Sequence, residues 1–318
     1  MPLPEGFREV VVPLTGDGMR LDRFLAGFFV DRSRTWLRRG IRDQQVRDPD
    51  ERPLRASHRV KGGDVLRLYL PEIAPSTGPP PFPDVLYEDE RLIAVDKPAG
   101  LLTHPAGSTF VWALVTLAKH RWPDDRIDLV HRLDRDTSGV IFLTRDLDAN
   151  RALKLALKEG RATKEYIALC RGTPDWAERS LRGPIGYRGE EIRIQMAVRD
   201  DGLPAHTDVK VLERGDHLTR VHCRLHTGRT HQIRVHLADA GLPILGDRLY
   251  GVPPHVFLDT LDHGVTDATV AATGARRHAL HAWRTTLPHP DGGDVTIEAP
   301  LPADMRQWWE EQPRPTAT

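Results

Sequence analysis

A proline-rich stretch divides the sequence and constrains its domain organisation more than any other feature. Six of the thirteen residues over 71–83 are proline, and the apolar residues there show no periodicity. Such a composition predicts a semi-rigid, extended linker. We therefore expect an N-terminal domain over 1–72, a linker over 73–84, a larger domain over 85–302 and a frayed C-terminal tail over 303–318.

Composition excludes several classes of protein. The 318 residues are enough to bury two cores, and 39% apolar and 28% charged residues are typical of a globular protein. Lys plus Arg equals Asp plus Glu at 45 each, so any surface for nucleic acid has to be local. The only two cysteines, Cys170 and Cys223, exclude a disulfide framework and favour a reducing compartment. With no signal-like N-terminus and no long apolar run, we expect a cytoplasmic protein without a membrane partner.

The apolar periodicities predict short helices and strands in both parts. In the N-terminal part they predict helices over 21–29 and 33–39, the second ended by Gly40, and a strand over 65–70. Beyond the linker, strands are predicted over 91–95, 140–144, 164–170, 206–212, 219–225 and 295–299. Helices are predicted over 111–120, 148–159 and 231–240. Because helices and strands do not alternate strictly, we expect an α+β fold with a mixed or antiparallel sheet.

One short segment concentrates the residues that could carry chemistry. Residues 131–139, HRLDRDTSG, place Asp134 among basic and turn-forming residues, directly before the apolar run 140–143. A carboxylate on a loop held by a strand can be aimed at a substrate. An isolated Asp-x-x-Ser-Gly would instead indicate an ordinary turn, with Asp134 paired to Arg132 or Arg135.

The complete nine-residue string resembles the signature of the RluA-type pseudouridine synthases. That resemblance implies that Asp134 is the catalytic carboxylate and that Arg132 helps to occupy the space left by a flipped base. Residues 87–101 and 103–105 are similar to the first motif of the same family. In the family's Lys-x-Tyr segment the tyrosine packs against the target base, which implies this role for Tyr166; a core aromatic is the alternative.

Two later segments extend the resemblance to about residue 290. Residues 225–236, LHTGRTHQIRVH, look like the family's third conserved region, in which the arginine after Thr-Gly faces the catalytic carboxylate. The resemblance therefore implies that Arg229 lies beside Asp134, with Arg234 as the candidate if Arg229 is not the partner. Residues 276–282 resemble the family's late Leu-His-Ala strand, which we interpret as support for the cleft.

The implied reaction breaks the N1–C1′ bond of uridine in RNA, rotates the uracil and joins its C5 to C1′. Asp134 could attack C1′ or remove a sugar proton, and the sequence does not choose between these. The isomerisation is redox-neutral, so no cofactor and no metal are expected. A metal-dependent hydrolase or deaminase would use His222, Cys223, His226, His231 and His236, but their spacing matches no such motif. An RNA N-glycosylase and a non-catalytic RNA-binding protein are two further competing interpretations.

The N-terminal part resembles the S4 domain, a small RNA-binding module, in residues 20–25, 33–34 and 60–66. Residues 32–42 carry five arginines and no acid, and Arg34, Arg38 and Arg42 recur on one helix face. Such a face suits an RNA backbone, although a merely solvated face has the same pattern. The following loop, 43–51, is more acidic than the family's. An S4-like module implies ribosomal RNA, of the large subunit, rather than transfer RNA, and a monomer is expected.

Overall fold

The computed structural model describes residues 7–29, 34–70, 80–104, 113–188, 192 and 194–311. Spatial proximity divides the chain into two units. The first comprises Met1–Phe82, Leu102–Arg121 and Asp259–Gly264, and the second comprises Pro83–Leu101, Trp122–Leu258 and Val265–Thr318. Most of the predicted linker lies outside the described residues, so the domain boundaries stay a prediction. Within the described ranges, no helix is long and apolar enough to cross a membrane.

In its described residues the first unit contains a small sheet, three complete α-helices and the last part of a fourth. Its elements are β1 (Arg8–Val11), α1 (Leu21–Phe28), α2 (Arg34–Arg42), β2 (Val46–Arg47), β3 (Val65–Leu68) and α3 (Leu114–Arg121). The strands are antiparallel in the order β1-β3-β2. Leu21, Phe24 and Leu25 recur at helical spacing on α1 and are buried with Leu37 and Leu66. Apolar periodicity therefore places this core correctly.

The second N-terminal helix is longer than predicted. Residue 33 lies outside the described residues, and α2 continues through Gly40 to Arg42. A Cβ at Gly40 would lie 2.5 Å from Cδ2 of Leu70, so the glycine permits close packing in mid-helix. The prediction that Gly40 ends the helix is wrong, because a glycine can permit close packing inside a helix as well as end one.

The second unit is built on a ten-stranded sheet. Its strands are β4 (Val85–Glu88), β5 (Leu92–Lys97), β6 (Asp128–Leu129), β7 (Ser138–Thr144), β8 (Thr163–Arg171), β9 (Glu178–Leu181), β12 (Thr207–Arg214), β13 (Leu218–Leu225), β14 (Leu280–Pro288) and β15 (Asp294–Glu298). The order is β4-β5-β7-β14-β8-β13-β12-β9, with β15 beside β14 and β6 beside β7. Among the described strand pairs of this sheet, β7–β14 alone is parallel. A separate hairpin pairs β10 (Ile185–Tyr187) with β11 (Met196–Val198). The predicted α+β fold with a mixed sheet is confirmed.

Helices lie between these strands in the chain and after them. They are α4 (Leu147–Lys158), α5 (Gln232–Asp239), α6 (Pro254–His263), α7 (Asp267–Thr273) and α8 (Ala303–Glu310). Asp146 caps α4 by accepting a hydrogen bond from the Ala149 backbone. The predicted frayed tail is wrong over 303–310, because α8 buries Met305 and Trp309. These two apolar side chains of α8 are buried on one face of the helix, although the sequence that follows is polar.

Candidate active site

The loop that carries Asp134 is anchored where the two parallel strands meet. Ser138 and Gly139 at the start of β7 pair with His281 and Ala282 of β14. Gly139 has a φ of +111°, and a Cβ there would overlap the Ala282 carbonyl oxygen. The Thr137 hydroxyl lies 2.8 Å from Nε2 of His278. The Thr-Ser-Gly of the signature therefore fixes the end of the loop rather than acting on a substrate.

A buried lysine holds the same loop from its other side. Lys97, at the end of β5, is fully buried and donates hydrogen bonds to three carbonyl oxygens. These belong to Pro98 at 2.8 Å, Leu101 at 2.9 Å and Arg135 at 3.0 Å. Burial lowers the pKa of Lys97 to about 7. The contact with Arg135 fixes the backbone next to Asp134.

Asp134 is paired with Arg234. The Arg234 Nη1 donates to Oδ2 of Asp134 at 2.8 Å, while its Nε and Nη2 donate to both oxygens of Asp247 at 2.7 and 2.9 Å. Asp247 is fully buried, Arg234 is 9% exposed, and Asp134 keeps 29% of its side chain exposed. Asp247 therefore orients the guanidinium, and Asp134 alone of the three stays open to a substrate.

The structure does not bring Arg229 to Asp134, which corrects the sequence expectation. Arg229 precedes α5, and its Nε donates to the Pro204 carbonyl oxygen at 3.0 Å. Arg234 lies inside α5, and the first six residues of this helix are buried. The motif carries two arginines five residues apart. The start of α5, where His231 has a φ of +56°, and the contact with Asp247 determine which one points at the carboxylate.

The surroundings keep Asp134 ionised. Burial alone raises the pKa of Asp134, but the charges of Arg234, His231 and His278 and the hydrogen bond of Arg234 together lower it by more, so that the net pKa lies below the usual value. His231 approaches the same oxygen at 3.9 Å. Burial and Arg234 lower the pKa of His231 to about 4, so this imidazole is neutral at pH 7. Arg234 is therefore the cation that balances Asp134 at neutral pH.

Two other predicted residues have different environments. Tyr166 on β8 is buried, and burial together with the charge of Asp134 raises the pKa of its hydroxyl. Arg132 is exposed and, within the described part of the chain, forms no hydrogen bond or ion pair. A neutral aromatic ring and a free cation thus accompany the carboxylate.

Sequence reasoning missed the residues that support Arg234. Besides Asp247, the Tyr250 ring lies 5.0 Å from the Arg234 guanidinium carbon, and its hydroxyl lies 2.8 Å from Nδ1 of His231. One signal was present: Arg234 stands between Ile233 and Val235 in an apolar helix, and a buried arginine requires an acidic partner.

The predicted RNA-binding arginines of the first unit are partly neutralised. Asp22 on α1 is fully buried and accepts from Arg34 at 2.7 Å, and it lies 3.5 Å from Arg38. Burial raises the pKa of Asp22, but Arg34 and Arg20 lower it by more. Arg42 pairs loosely with Asp43 at 3.6 Å and is 75% exposed.

These arginines border a groove. Arg38, Arg39 and Arg42 of α2 line it together with Arg55, and none of its described lining residues is acidic. Arg34, Arg38 and Arg42 are all exposed, but Arg34 is bound to Asp22 and does not line the groove.

Comparison with known proteins agrees with the geometry. A family model described as RNA pseudouridylate synthase matches residues 91–239. The chain is 37% identical over 314 residues to the ribosomal large subunit pseudouridine synthase D of Xanthomonas campestris pv. campestris, covering 96% of this chain and 92% of that protein. It is 34% identical to an uncharacterized RNA pseudouridine synthase of Bacillus subtilis, covering 91% and 92%.

A solved structure supports the same assignment. The human RNA pseudouridylate synthase domain containing 1 matches with a TM-score of 0.56 at 25% identity, covering 76% of this chain and 100% of that one. The resemblance drawn from the sequence motifs is confirmed. The chain belongs to the RluA-type RNA pseudouridine synthases, enzymes that isomerise uridine within RNA.

Proposed function

We propose that this enzyme converts specific uridines of large-subunit ribosomal RNA to pseudouridine, with Asp134 as the catalytic carboxylate. The observation that carries the proposal is the Asp134–Arg234–Asp247 arrangement, in which one ionised carboxylate stays exposed in an otherwise buried charge network. Substrate choice rests on relatives such as the Xanthomonas protein, whose name specifies the large ribosomal subunit.

In the proposed mechanism Asp134 acts on the ribose of the target nucleotide. It either attacks C1′ or removes a sugar proton, and in both routes the N1–C1′ bond breaks before C5 bonds to C1′. In the first route the Asp134–C1′ bond breaks again when C5 bonds to C1′; in the second, Asp134 returns the proton to the same sugar carbon. The C5 proton then leaves to solvent and N1 gains a proton, so the reaction is balanced without an oxidant or a second substrate. Bound RNA desolvates Asp134 and opposes its ionisation, and Arg234 offsets that effect.

The other predicted residues receive positioning roles. A stacked base is out of reach, so we infer that the nucleotide flips out, at a cost of a few kcal/mol. Arg132, exposed next to the signature loop, would enter the vacated space, and Tyr166 would cover the uracil face. Arg229, which does not contact Asp134, would instead contact RNA near the cleft.

For the N-terminal domain predicted over 1–72 we propose an S4-like RNA-binding role. The groove formed by Arg38, Arg39, Arg42 and Arg55 would contact phosphates, and each neutralised phosphate releases counterions. Arg34 would mainly orient Asp22 and Arg38. With ribosomal RNA as the substrate, we propose that the enzyme works in the cytoplasm as a monomer.

The test is to incubate purified enzyme with large-subunit ribosomal RNA and transfer RNA transcripts, and to map pseudouridine in each. We expect modification at discrete uridines of the ribosomal RNA only. Modification confined to transfer RNA would refute the substrate assignment. Release of free uracil with no pseudouridine would indicate the alternative N-glycosylase reaction.

A further inference from the structure

Three side chains converge on one sheet face outside the Asp134 network. His206 directly precedes β12, Asp208 is the second residue of that strand, and His226 directly follows β13. The nitrogen or oxygen atoms that they offer all lie within 4.8 Å of one another. Nε2 of His206 is 2.9 Å from Oδ1 of Asp208, and Nε2 of His226 is 2.6 Å from Oδ2. None of these side chains contacts Asp134 in the described part of the chain.

The backbone around this cluster is fixed by a separate set of hydrogen bonds. The His226 amide donates to the His206 carbonyl oxygen at 3.1 Å. Thr227 accepts from the His206 amide at 2.9 Å, and Gln232 donates to the His206 carbonyl at 2.9 Å. The two imidazole rings are stacked, with centroids 4.0 Å apart and planes 10° from parallel. The backbone of the two histidines is thus tied by hydrogen bonds at the paired ends of β12 and β13.

We propose that His206, Asp208 and His226 form a binding site for one divalent transition-metal ion of the zinc class, with a fourth position open to water. Two imidazoles and a carboxylate are ligands that Zn²⁺ accepts, and three protein ligands with an open position are a common zinc arrangement. The cluster was not apparent in the sequence because its members come from two strands and match no spaced motif. The proposal does not depend on the function assigned above.

Metal binding requires small changes only. With metal–ligand distances near 2.1 Å, tetrahedral ligand atoms lie roughly 3.4 Å apart, so each Nε2 would retreat from Asp208 by less than about 1 Å. Each imidazole would carry its proton on Nδ1 instead of Nε2. The Asp208 carboxylate lies within hydrogen-bond distance of both imidazoles and accepts a hydrogen bond from the Ser180 hydroxyl at 2.7 Å, so its oxygens already face both nitrogens. Arg224 pairs with Asp208 across β12 and β13, and its positive charge would oppose the binding of a cation.

A bound ion would connect the start of β12 to the segment that leads into α5. That segment, 226–231, carries Arg229 and His231, so the ion would stabilise it without contacting Asp134. The bound ion would therefore have a structural role near the cleft, and isomerisation itself does not require it.

The experiment uses the untagged full-length protein freed of metal with a chelator. Zn²⁺ binding is measured by competition with a chromophoric chelator, and Co²⁺ is added separately to record ligand-field absorption. We expect one ion per wild-type chain. His226→Asn, whose amide can still bond Asp208, should bind at least about tenfold more weakly, because losing even an outer-shell partner costs 10–100-fold. The matched control is His217→Asn, an exposed histidine outside the cluster, which should bind as the wild type does.

Two results would overturn the proposal. One is wild-type protein that fails to compete with the chelator for Zn²⁺. The other is equal affinity in wild type, His226→Asn and Asp208→Asn, which would place the ion on other histidines. Thermal unfolding of the metal-free variants shows whether each is folded, so a loss of binding can be assigned to the missing ligand.

Discussion

Replacing Arg234 with lysine separates its charge from its geometry. The guanidinium serves Asp247 with two nitrogens and Asp134 with a third, at 2.7 to 2.9 Å. A single ammonium cannot reproduce three contacts, and the fully buried Asp247 would retain it, because an unpaired buried charge is costly. Asp134 would then lose its close cation.

The magnitude follows from the loss of that one charged hydrogen bond. A hydrogen bond between charged groups contributes about 1.5–3 kcal/mol, which corresponds to a change of about one to two pH units in the pKa of Asp134. In the wild type the pKa of Asp134 is lowered, so the loss raises it. As the pH is lowered, Asp134 of the variant should therefore become protonated, and inactive, at a higher pH than in the wild type. The acid limb of the rate profile should move upward by about one to two pH units.

The assay is a pH–rate profile under single-turnover conditions, following tritium released from uracil C5 in a labelled RNA transcript. Arg229→Lys is the matched control, because its side chain contacts Pro204 and not Asp134. Its acid limb should stay at the wild-type position, whatever its effect on RNA binding. An unshifted limb in a folded Arg234→Lys, or an equal shift in Arg229→Lys, would refute the assignment of Arg234.

Three further predictions follow from the same structure. Gly139→Ala should destabilise the protein by about 1–3 kcal/mol or more in denaturant unfolding, because its Cβ would overlap the Ala282 carbonyl at a positive φ; unchanged stability would contradict the packing at the β7–β14 junction. Arg39→Gln combined with Arg42→Gln should lower the slope of log affinity against log salt by about 0.7–0.9 for each phosphate that is no longer neutralised, measured by RNA titration; an unchanged slope would mean a merely solvated groove. Isomerisation should continue in strong chelator, since Asp134 needs no metal, and loss of activity restored by a divalent ion would contradict the mechanism.

Local patterns predicted much of the second unit. The apolar runs that became β7, β8 and β13 were placed within two residues, as were α4 and α5. Strand β14 was indicated only by the Leu-His-Ala resemblance, because it carries polar and apolar residues on both faces and no local period marks it; it fits between β7 and β8. Its place in the sheet depends on contacts more than a hundred residues away, which no local period encodes.

In the candidate site, too, local patterns predicted some residues, while others depend on distant contacts. Asp134 and Tyr166 could be picked from motifs, because one short string carries each of them. The choice between Arg229 and Arg234 could not, since it depends on where α5 begins and on Asp247. Likewise, the helix pattern showed the arginines of α2 but not the buried Asp22 that occupies Arg34.

The central claim is that Asp134 performs the chemistry, and its most direct test is Asp134→Asn. The substitution removes the anion and keeps nearly the same shape, so the protein should fold and bind RNA as the wild type does. Under single-turnover conditions with excess enzyme, we expect no detectable pseudouridine in large-subunit ribosomal RNA transcripts over a time in which the wild type completes the reaction. If the folded variant retains a tenth or more of the wild-type rate, another residue carries the chemistry and the account is wrong.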